Sequence, residues 1–589
     1  MRNAKIVCTL GPATEDRDSI RALADAGMTV ARINSSHGTR EDRAALIERA
    51  QQVDAATDKP VAVMVDLQGP EIRTGKTDSP IEIGSGSTVT FVESSAVSAD
   101  RVGLSTDISH VTPGDRVLLD DGRIETEVES VEAGAVRATV LSGGALGSHK
   151  GVNVPGLDLD VDVVTEKDRA DLELAVEADV DFIAASFVRD AEDVLEVGRE
   201  IESLAGDIPV IAKIERADAV DHLDEIIGAA QGIMVARGDL GVELPMEDVP
   251  LIQKRIITKS QTAGVPVIIA TEMLDSMVDQ ARPTRAEASD VANAVLDGTD
   301  AVMLSAETAI GDHPTRVVET MDRIIREIEA SDEYGDIVEQ RVPEAPGDSR
   351  TEALARSARY LARDVDASAV VVASESGYTA RRVAKFRPSV PVVATTPRDS
   401  VRRQLGLVWG VNAQYADVQT GTATSVVQDS VSAGLESGVI DPGDTIVVLT
   451  GMMTELEGED TTNTLKVHVA AETLAVGRSV VDGRIAGPVV ELESTELATV
   501  DPGSIGIIRA EFEEELTSGV ENLGGIVSAQ SGMTSYAAMV ARELEIPMIS
   551  GAELTQLESG QTVTVDGERG VVYEGDVTQS SVERGRGDR

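Results

Sequence analysis

PVIAKIE at residues 209–215 and GIMVARGDL at residues 232–240 are apolar, β-branched-rich runs that end in charge. Each has the pattern of a strand buried on both faces. Side chains alternate along a strand, so Lys213 and Glu215 point the same way. A lysine and a carboxylate facing inward at one strand's end, with Asp239 at the end of the next, make a cation-plus-metal site. That is what a reaction on a phosphorylated anion needs.

Six further runs share the pattern: KIVCTL (5–10), VARINS (30–35), VAVMVDL (61–67), DFIAASFV (181–188), VPVIIATEM (265–273) and DAVMLSAE (300–307). Amphipathic helical stretches such as DRDSIRALADAG follow most of them. Strand–helix alternation predicts a parallel sheet, and eight repeats predict a closed (β/α)8 TIM barrel over 1–67 and 157–332. Arg32, Asn34, Asp66, Ser186, Lys213, Glu215, Asp239, Thr271, Glu272 and Ser305 all lie at the C-terminal ends of these runs. In a barrel that end is the catalytic face. Polar loops alone explain one or two such residues, not ten that include an inward lysine.

Residues 68–156 interrupt the alternation with short Thr/Val/Gly-rich runs, such as STVTFV and AVRATVLSGG. They predict an inserted β-barrel lid over the catalytic face. After a polar, proline-containing linker, a new α/β unit spans 346–472, with strands SAVVVAS, PVVATT and DTIVVLT. A last unit spans 478–577, and QSSVERGRGDR (579–589) reads as a frayed end.

A chain of 589 residues is too long for one core. Its 103 acidic residues against 52 basic ones leave a formal net charge of -51. The acids are spread through periodic, apolar-rich sequence, which excludes an acidic disordered tail. No acidic block marks a basic partner. A solvated acidic surface in a halophile's cytoplasm fits, because molar salt shortens the screening length to about 3 Å. There is no basic stripe for nucleic acid, no signal-peptide pattern and no membrane-length apolar run. The single cysteine, Cys8, excludes an intrachain disulfide and reads as a core residue.

The motifs closely resemble those of the pyruvate kinase family. They run in order: KIVCTLGPAT, ARINSSHG, VDLQGPEIRTG, DDG, KGVNVPG, SFVR, AKIERADAV, MVARGDLGVELP, ATEMLDSM, RPTRAEASDVANAVLDGTDAVMLSAETAIGDHP, SESGYTARRVAKFRPSVPVVATTP, LVWGV and TTNTLKVHV. So many collinear blocks make the likeness specific over nearly the first 470 residues. The last hundred resemble the mobile phosphohistidine domain of phosphoenolpyruvate-utilising enzymes, which some bacterial members of the family carry as an extra part.

The resemblance implies phosphoryl transfer from phosphoenolpyruvate to ADP, giving pyruvate and ATP, with Mg²⁺ or Mn²⁺ and K⁺. By position, Lys213 stabilises the transferring group, and Glu215 and Asp239 are divalent-metal ligands. Backbone N–H groups of Ala236, Arg237 and Gly238 cradle the substrate carboxylate. Thr271 and Ser305 serve the water relay that protonates the enolate. Arg32 and Arg73 grip phosphate oxygens. Asn34, His37, Arg73 and Lys150 fall on the nucleotide side, with Asn153 at the hinge, although His37 on its own chemistry reads as structural. Asn34, Ser36, Asp66 and the Leu67 carbonyl match the K⁺ ligands. Glu71 goes with potassium-dependent members, whereas Leu67-Gln68 resembles members that need none; the added negative charge of Glu71 favours dependence. Arg282 reads as an interface or loop-ordering residue.

Ser374, Ser376, Gly377 and Thr379 form a turn before a helix, a phosphate cradle for a phosphorylated effector or simply an N-capping turn. In SGMTSYAAMVAR, Tyr536 stands where the mobile domain has its phosphorylatable histidine, and no other histidine lies in that domain. Tyrosine lacks the imidazole nucleophile, so a structural, oligomer-bridging or regulatory role is expected. The family resemblance also implies a homotetramer. A phosphohistidine-relay enzyme, a catalytically dead scaffold and a metal-dependent aldolase are the rival readings. Tyr536, the intact Lys213, Glu215, Asp239 and Thr271 set, and the lid argue against each in turn.

Overall fold

Eight short strands, buried throughout except at Asn34 and Lys213, close on themselves: β1 (Lys5–Thr9), β2 (Val30–Asn34), β3 (Ala62–Asp66), β4 (Phe182–Ala185), β5 (Val210–Ile214), β6 (Gly232–Ala236), β7 (Val267–Ala270) and β8 (Ala301–Leu304). Neighbouring pairs are parallel around the ring. The structure is a computed structural model that describes residues 2–120, 122–156, 162–347, 349–416, 423–450, 462–492, 500–509 and 520–578. The end expected to fray, 579–589, lies outside the described residues. Contacts divide the chain into two units, Met1–Glu344 with Arg403–Val411, and Ala345–Arg402 with Asn412–Arg589.

Alternation along the strands splits the barrel's apolar residues into two cores. Val7, Val30, Met64, Phe182, Ile211, Met234, Ile268 and Met303 fill the interior, joined by Leu407. Ile6, Ile33, Val63, Ile183, Ile233 and Ile269 face outward, into the layer shared with the helices. Helix starts are set by capping. Thr39, Thr165 and Thr284 each accept from the third residue on, and Asp42, Asp168 and Glu287 reach back to complete the box.

The strands stop sooner than the apolar runs. GIMVARGDL leaves the sheet after Ala236, and Arg237–Glu243 is a short helix. Leu240, wholly buried, anchors that turn into the core. Likewise Ala306–Ala309 is helical after β8.

The insertion is all β. Seven strands form one sheet, and Ile81–Ile83 pairs with Gly144–Leu146. The sheet's two edge strands, Ile72–Arg73 and Arg101–Leu104, are drawn together. Gly75 N–H donates to the Gly103 carbonyl at 2.9 Å, and Ser105 N–H to that of Arg73 at 2.9 Å. This curls the sheet around Phe91, Val117, Leu119, Val128 and Val140.

The second unit holds two sheets. The first comprises β9 (Ala369–Ala373), β10 (Val392–Thr396), β11 (Val411–Tyr415), β12 (Thr445–Thr450) and β13 (Thr464–Val469), in the order β11-β10-β9-β12-β13 with β13 antiparallel. The second comprises β14 (Thr473–Val476), β15 (Arg478–Val481), β16 (Arg484–Glu491), β17 (Ser504–Ile508), β18 (Leu523–Ser528), β19 (Met548–Ser550), β20 (Thr562–Asp566) and β21 (Val571–Glu574). Their order is β14-β21-β20-β16-β17-β18-β19-β15. Among the described residues no helix is long and apolar enough to cross a membrane.

Candidate active site

The C-terminal ends of the barrel strands and the inserted unit enclose a cleft of about 940 Å³. Arg32, Lys213, Glu215, Ala236, Gly238, Asp239, Thr271 and Ser305 line its barrel side, and Arg116, Leu118, Arg123 and Pro155 face them from the insertion. The strand ends thus bring together residues up to 273 positions apart, Arg32 to Ser305, because the ring closes.

A four-charge cluster forms the wall. Lys213 Nζ lies 3.1 Å from Asp66 Oδ1 and 2.9 Å from Glu215 Oε1. Arg32 Nε donates to Asp66 Oδ2 at 2.7 Å, and its Nη1 to Thr9 Oγ1 at 2.9 Å. Burial works against the charge on Lys213, but Asp66 and then Glu215 outweigh it and hold the ammonium protonated well above the ordinary lysine range. Burial likewise opposes the charge on Asp66, and Lys213 with Arg32 overcomes it and lowers that carboxyl. The second oxygen of Glu215 accepts from Phe187 N–H at 2.7 Å. Phe187 adopts φ +57, a left-handed conformation that costs a non-glycine residue energy and is held by its surroundings.

Sequence reasoning placed Ser186 at a strand end and gave it no role. It is a hub: Lys213 Nζ donates to its Oγ at 2.7 Å, and that hydroxyl donates to the Leu67 carbonyl at 2.7 Å. Glu307 was missed altogether. This buried carboxylate accepts from Leu274 N–H at 3.0 Å and Ser305 N–H at 2.6 Å, tying the ends of β7 and β8 together. Glu243 was also missed. Its Oε2 is buried without a hydrogen-bond partner at the cleft wall, and burial raises its pKa. Position alone marks Ser186 as a strand-end residue, but its links to Leu67 and Lys213, and that of Glu307 to Leu274, join residues distant in the chain.

Arg237 does not line the cleft. Its guanidinium turns away to form a two-pronged pair with Asp290, Nη1 to Oδ1 at 2.7 Å, and also reaches Gln253. Only its backbone remains beside the cleft. Gly238 leaves open space where a side chain would stand.

Of the nucleotide-side residues, Asn34 is in register with Asp66, whereas His37, Arg73 and Lys150 do not line the cleft. Arg73 pairs with Glu71, Nη2 to Oε2 at 2.7 Å, and donates to the His149 carbonyl. Lys150 Nζ is 2.7 Å from Asp120 Oδ1, and Asn153 lies on the neighbouring short strand. His37 is exposed, 3.4 Å from the Asn34 amide. Asn34 Oδ1 accepts from Ser36 N–H at 3.0 Å, so Asn34, Ser36, Asp66 and the Leu67 carbonyl follow one another around the β2 and β3 ends. Lys167 Nζ reaches the Ser35 carbonyl beside them at 2.6 Å.

Among the described residues no three His, Cys, Asp or Glu side chains converge as a metal cage. Glu215 and Asp239 nevertheless line one cleft. Carboxylate oxygens at one cleft are the donor type that Mg²⁺ or Mn²⁺ takes, so the residues fit a divalent ion, which would share Glu215 with Lys213 and the Phe187 N–H. The Asn34, Ser36 and Leu67 oxygens suit a monovalent ion, although Asp66 already serves two cations.

Comparison with known families assigns this architecture. Residues 1–318 match the pyruvate kinase barrel domain, 352–468 the pyruvate kinase alpha/beta domain, and 500–570 the mobile domain of PEP-utilising enzymes. The chain belongs to the pyruvate kinase family. The pyruvate kinase of Geobacillus stearothermophilus is 43% identical over 586 residues, covering 98% of this chain and 99% of that one. Those of Sporosarcina psychrophila and Bacillus licheniformis are each 40% identical over 98% of this chain and 99% of theirs. The crystal structure of a pyruvate kinase from Cryptosporidium parvum superposes with a TM-score of 0.74 at 34% identity, covering 80% of this chain and 96% of that one. As a pyruvate kinase family member the chain is a phosphotransferase.

Outside the barrel, two further sets of this pyruvate kinase chain were singled out. Gly377, at φ +73, starts the helix Tyr378–Lys385, with Ser376 Oγ accepting from Tyr378 N–H at 3.4 Å. Ser374 is buried, and the Thr379 hydroxyl is engaged by Thr462 at 2.7 Å. Tyr536 opens the helix Tyr536–Glu543, capped by Ser535, and its ring packs on the core formed by Leu492, Ile508 and Ile526.

Proposed function

We propose that this chain transfers the phosphoryl group of phosphoenolpyruvate to ADP in the cleft at the top of the barrel, as the pyruvate-forming step of glycolysis in the cytoplasm. The observation that carries this reading is the Lys213 ammonium, fixed by Asp66, Glu215 and Ser186 at the wall of a cleft that Asp239 also lines. A loose, anionic phosphoryl transition state needs positioned positive charge more than covalent chemistry. Lys213 and Arg32 supply that charge inside a protein of net charge -51.

The enol oxygen–phosphorus bond breaks as a terminal oxygen of ADP bonds to phosphorus. The electron pair remains on the enolate, whose carbon then takes a proton. Thr271 and Ser305 line the cleft and would hold the water that delivers it, since a hydroxyl alone is a weak acid. Backbone N–H groups at Ala236–Gly238 would receive the substrate carboxylate. Glu215 and Asp239 would hold Mg²⁺ or Mn²⁺, which neutralises phosphoryl charge when bound. Asn34, Ser36, Asp66 and the Leu67 carbonyl would hold K⁺. Arg73, Lys150, Asn34 and His37 would face ADP, Arg73 after exchanging Glu71 for phosphate. Ser374, Ser376, Gly377 and Thr379 would form a phosphorylated-effector turn, and the assembly would be a homotetramer.

The test is lactate-dehydrogenase-coupled turnover of phosphoenolpyruvate and ADP with Mg²⁺ in molar KCl. Pyruvate production that requires both substrates supports the reading. A folded protein without turnover in any salt contradicts it.

A further inference from the structure

The second unit carries a cavity of about 890 Å³, remote in sequence from every residue assigned above. That volume lies within the range of metabolite pockets. One wall is β13, where alternation puts Thr464, Lys466 and His468 on one face. The other is built from β14 with Thr473, the segment after β19 with Thr555, and β21 with the turn before it, with Arg569 and Tyr573. Val469, Ala471, Tyr573 and Val577 pack into one cluster that joins the two walls.

The charge here runs against the rest of the molecule. Acidic residues outnumber basic ones by 103 to 52, yet Lys466 and Arg569, both exposed, and His468 line this one cavity, with Glu553 as the one carboxylate among the lining residues. Among the described residues neither Lys466 nor Arg569 has an ion-pair partner, although most of the basic side chains around the catalytic cleft do. The Arg569 guanidinium lies against the Tyr573 hydroxyl. His468 is pushed down to about 4, by burial first and then by Lys466 and Arg569, so the cavity already holds its histidine neutral against surplus positive charge.

We propose that this cavity is a binding site for a small phosphate ester, its phosphate held between Lys466 and Arg569 and its hydroxylated body by Thr464, Thr473, Thr555 and Tyr573. A lysine point charge and an arginine fork together suit a phosphate dianion. The hydroxyls suit a polyhydroxylated body rather than an apolar one. The site is distinct from the Ser376–Gly377 turn, and its wall includes the extra C-terminal unit, so occupancy would couple that unit to β13.

The full-length protein is titrated calorimetrically with glucose 6-phosphate, AMP and inorganic phosphate, at a salt concentration where it is folded. At least one ester is expected to bind, tenfold or more tighter than inorganic phosphate. The Lys466→Met/Arg569→Met double variant is expected to weaken it at least tenfold. A Ser376→Ala/Thr379→Val variant is expected to bind as wild type. Saturation with the ester should also raise the pKa of His468 by NMR titration, which a purely structural role for the cations would not do. Absence of binding by all three probes overturns the proposal. So does binding that survives the double cation variant, or that is lost only in the Ser376/Thr379 variant. These readouts do not depend on turnover, so they stand apart from the test of catalysis.

Discussion

Asp66 and Lys213 are 147 positions apart, yet they form a buried ion pair at 3.1 Å, and Arg32 takes the other oxygen of the same carboxylate. One negative charge therefore sets the position of two cations at the cleft wall. Removing it with Asp66→Asn would leave both cations under-compensated. Breaking a buried pair this way costs about 3–5 kcal/mol. Denaturant unfolding should show a loss of that order, and the pKa of Lys213 should fall as its first partner disappears.

Ser186 should separate positioning from binding. In Ser186→Ala the Lys213 ammonium loses one of its three anchors and the Leu67 carbonyl loses its donor. Leaving such buried groups unpaired costs about 1–3 kcal/mol. With the lysine less well aimed, kcat should fall about tenfold while KM for phosphoenolpyruvate changes little. An unchanged kcat would show that Asp66 and Glu215 alone suffice to orient Lys213.

Much of this was legible before the structure. The eight barrel runs are apolar on both faces, and parallel buried strands leave that signature. Lys213, Glu215, Asp239, Thr271 and Ser305 could be placed on one face because barrel topology puts every strand end there. What could not be read depends on contacts distant in the chain. The motif offers only the backbone N–H of Arg237 to the site; the place of its guanidinium, against Asp290 53 positions away, is set by the fold. Only folding buries Glu307 beneath the ends of β7 and β8 and sets Glu243 at the cleft wall.

Asp181 predicts a pH signature. Burial raises its carboxyl to about 6, more than Arg403 at 2.8 Å and the Val63 N–H can offset, and Asp54 adds repulsion. The folded state therefore binds this proton more tightly than the unfolded chain, where aspartate titrates near 3.8. The contribution to stability is fully present below that value and is lost as pH rises through about 6. Asp181→Asn should flatten the stability profile between these limits, measured by denaturant midpoints across pH.

Salt should act on the whole chain. With a net charge of -51, self-repulsion at low ionic strength destabilises the folded state and repels both anionic substrates. The thermal midpoint and kcat/KM should both rise as KCl approaches molar concentration. Replacing K⁺ by tetramethylammonium at equal ionic strength should preserve the stability gain. It should abolish the activity gain if Asn34, Ser36, Asp66 and the Leu67 carbonyl hold K⁺. Full activity in tetramethylammonium would instead point to Lys167, whose ammonium already contacts the Ser35 carbonyl, as the resident cation.

The most direct test of the account is Lys213→Met, assayed for phosphoryl transfer from phosphoenolpyruvate to ADP beside wild type under matched salt and metal. The account predicts a fall in kcat of at least about a thousandfold, the order expected when a principal charge stabiliser is removed. Phosphoenolpyruvate should still bind and the fold should be retained. A folded variant with near wild-type kcat would contradict it.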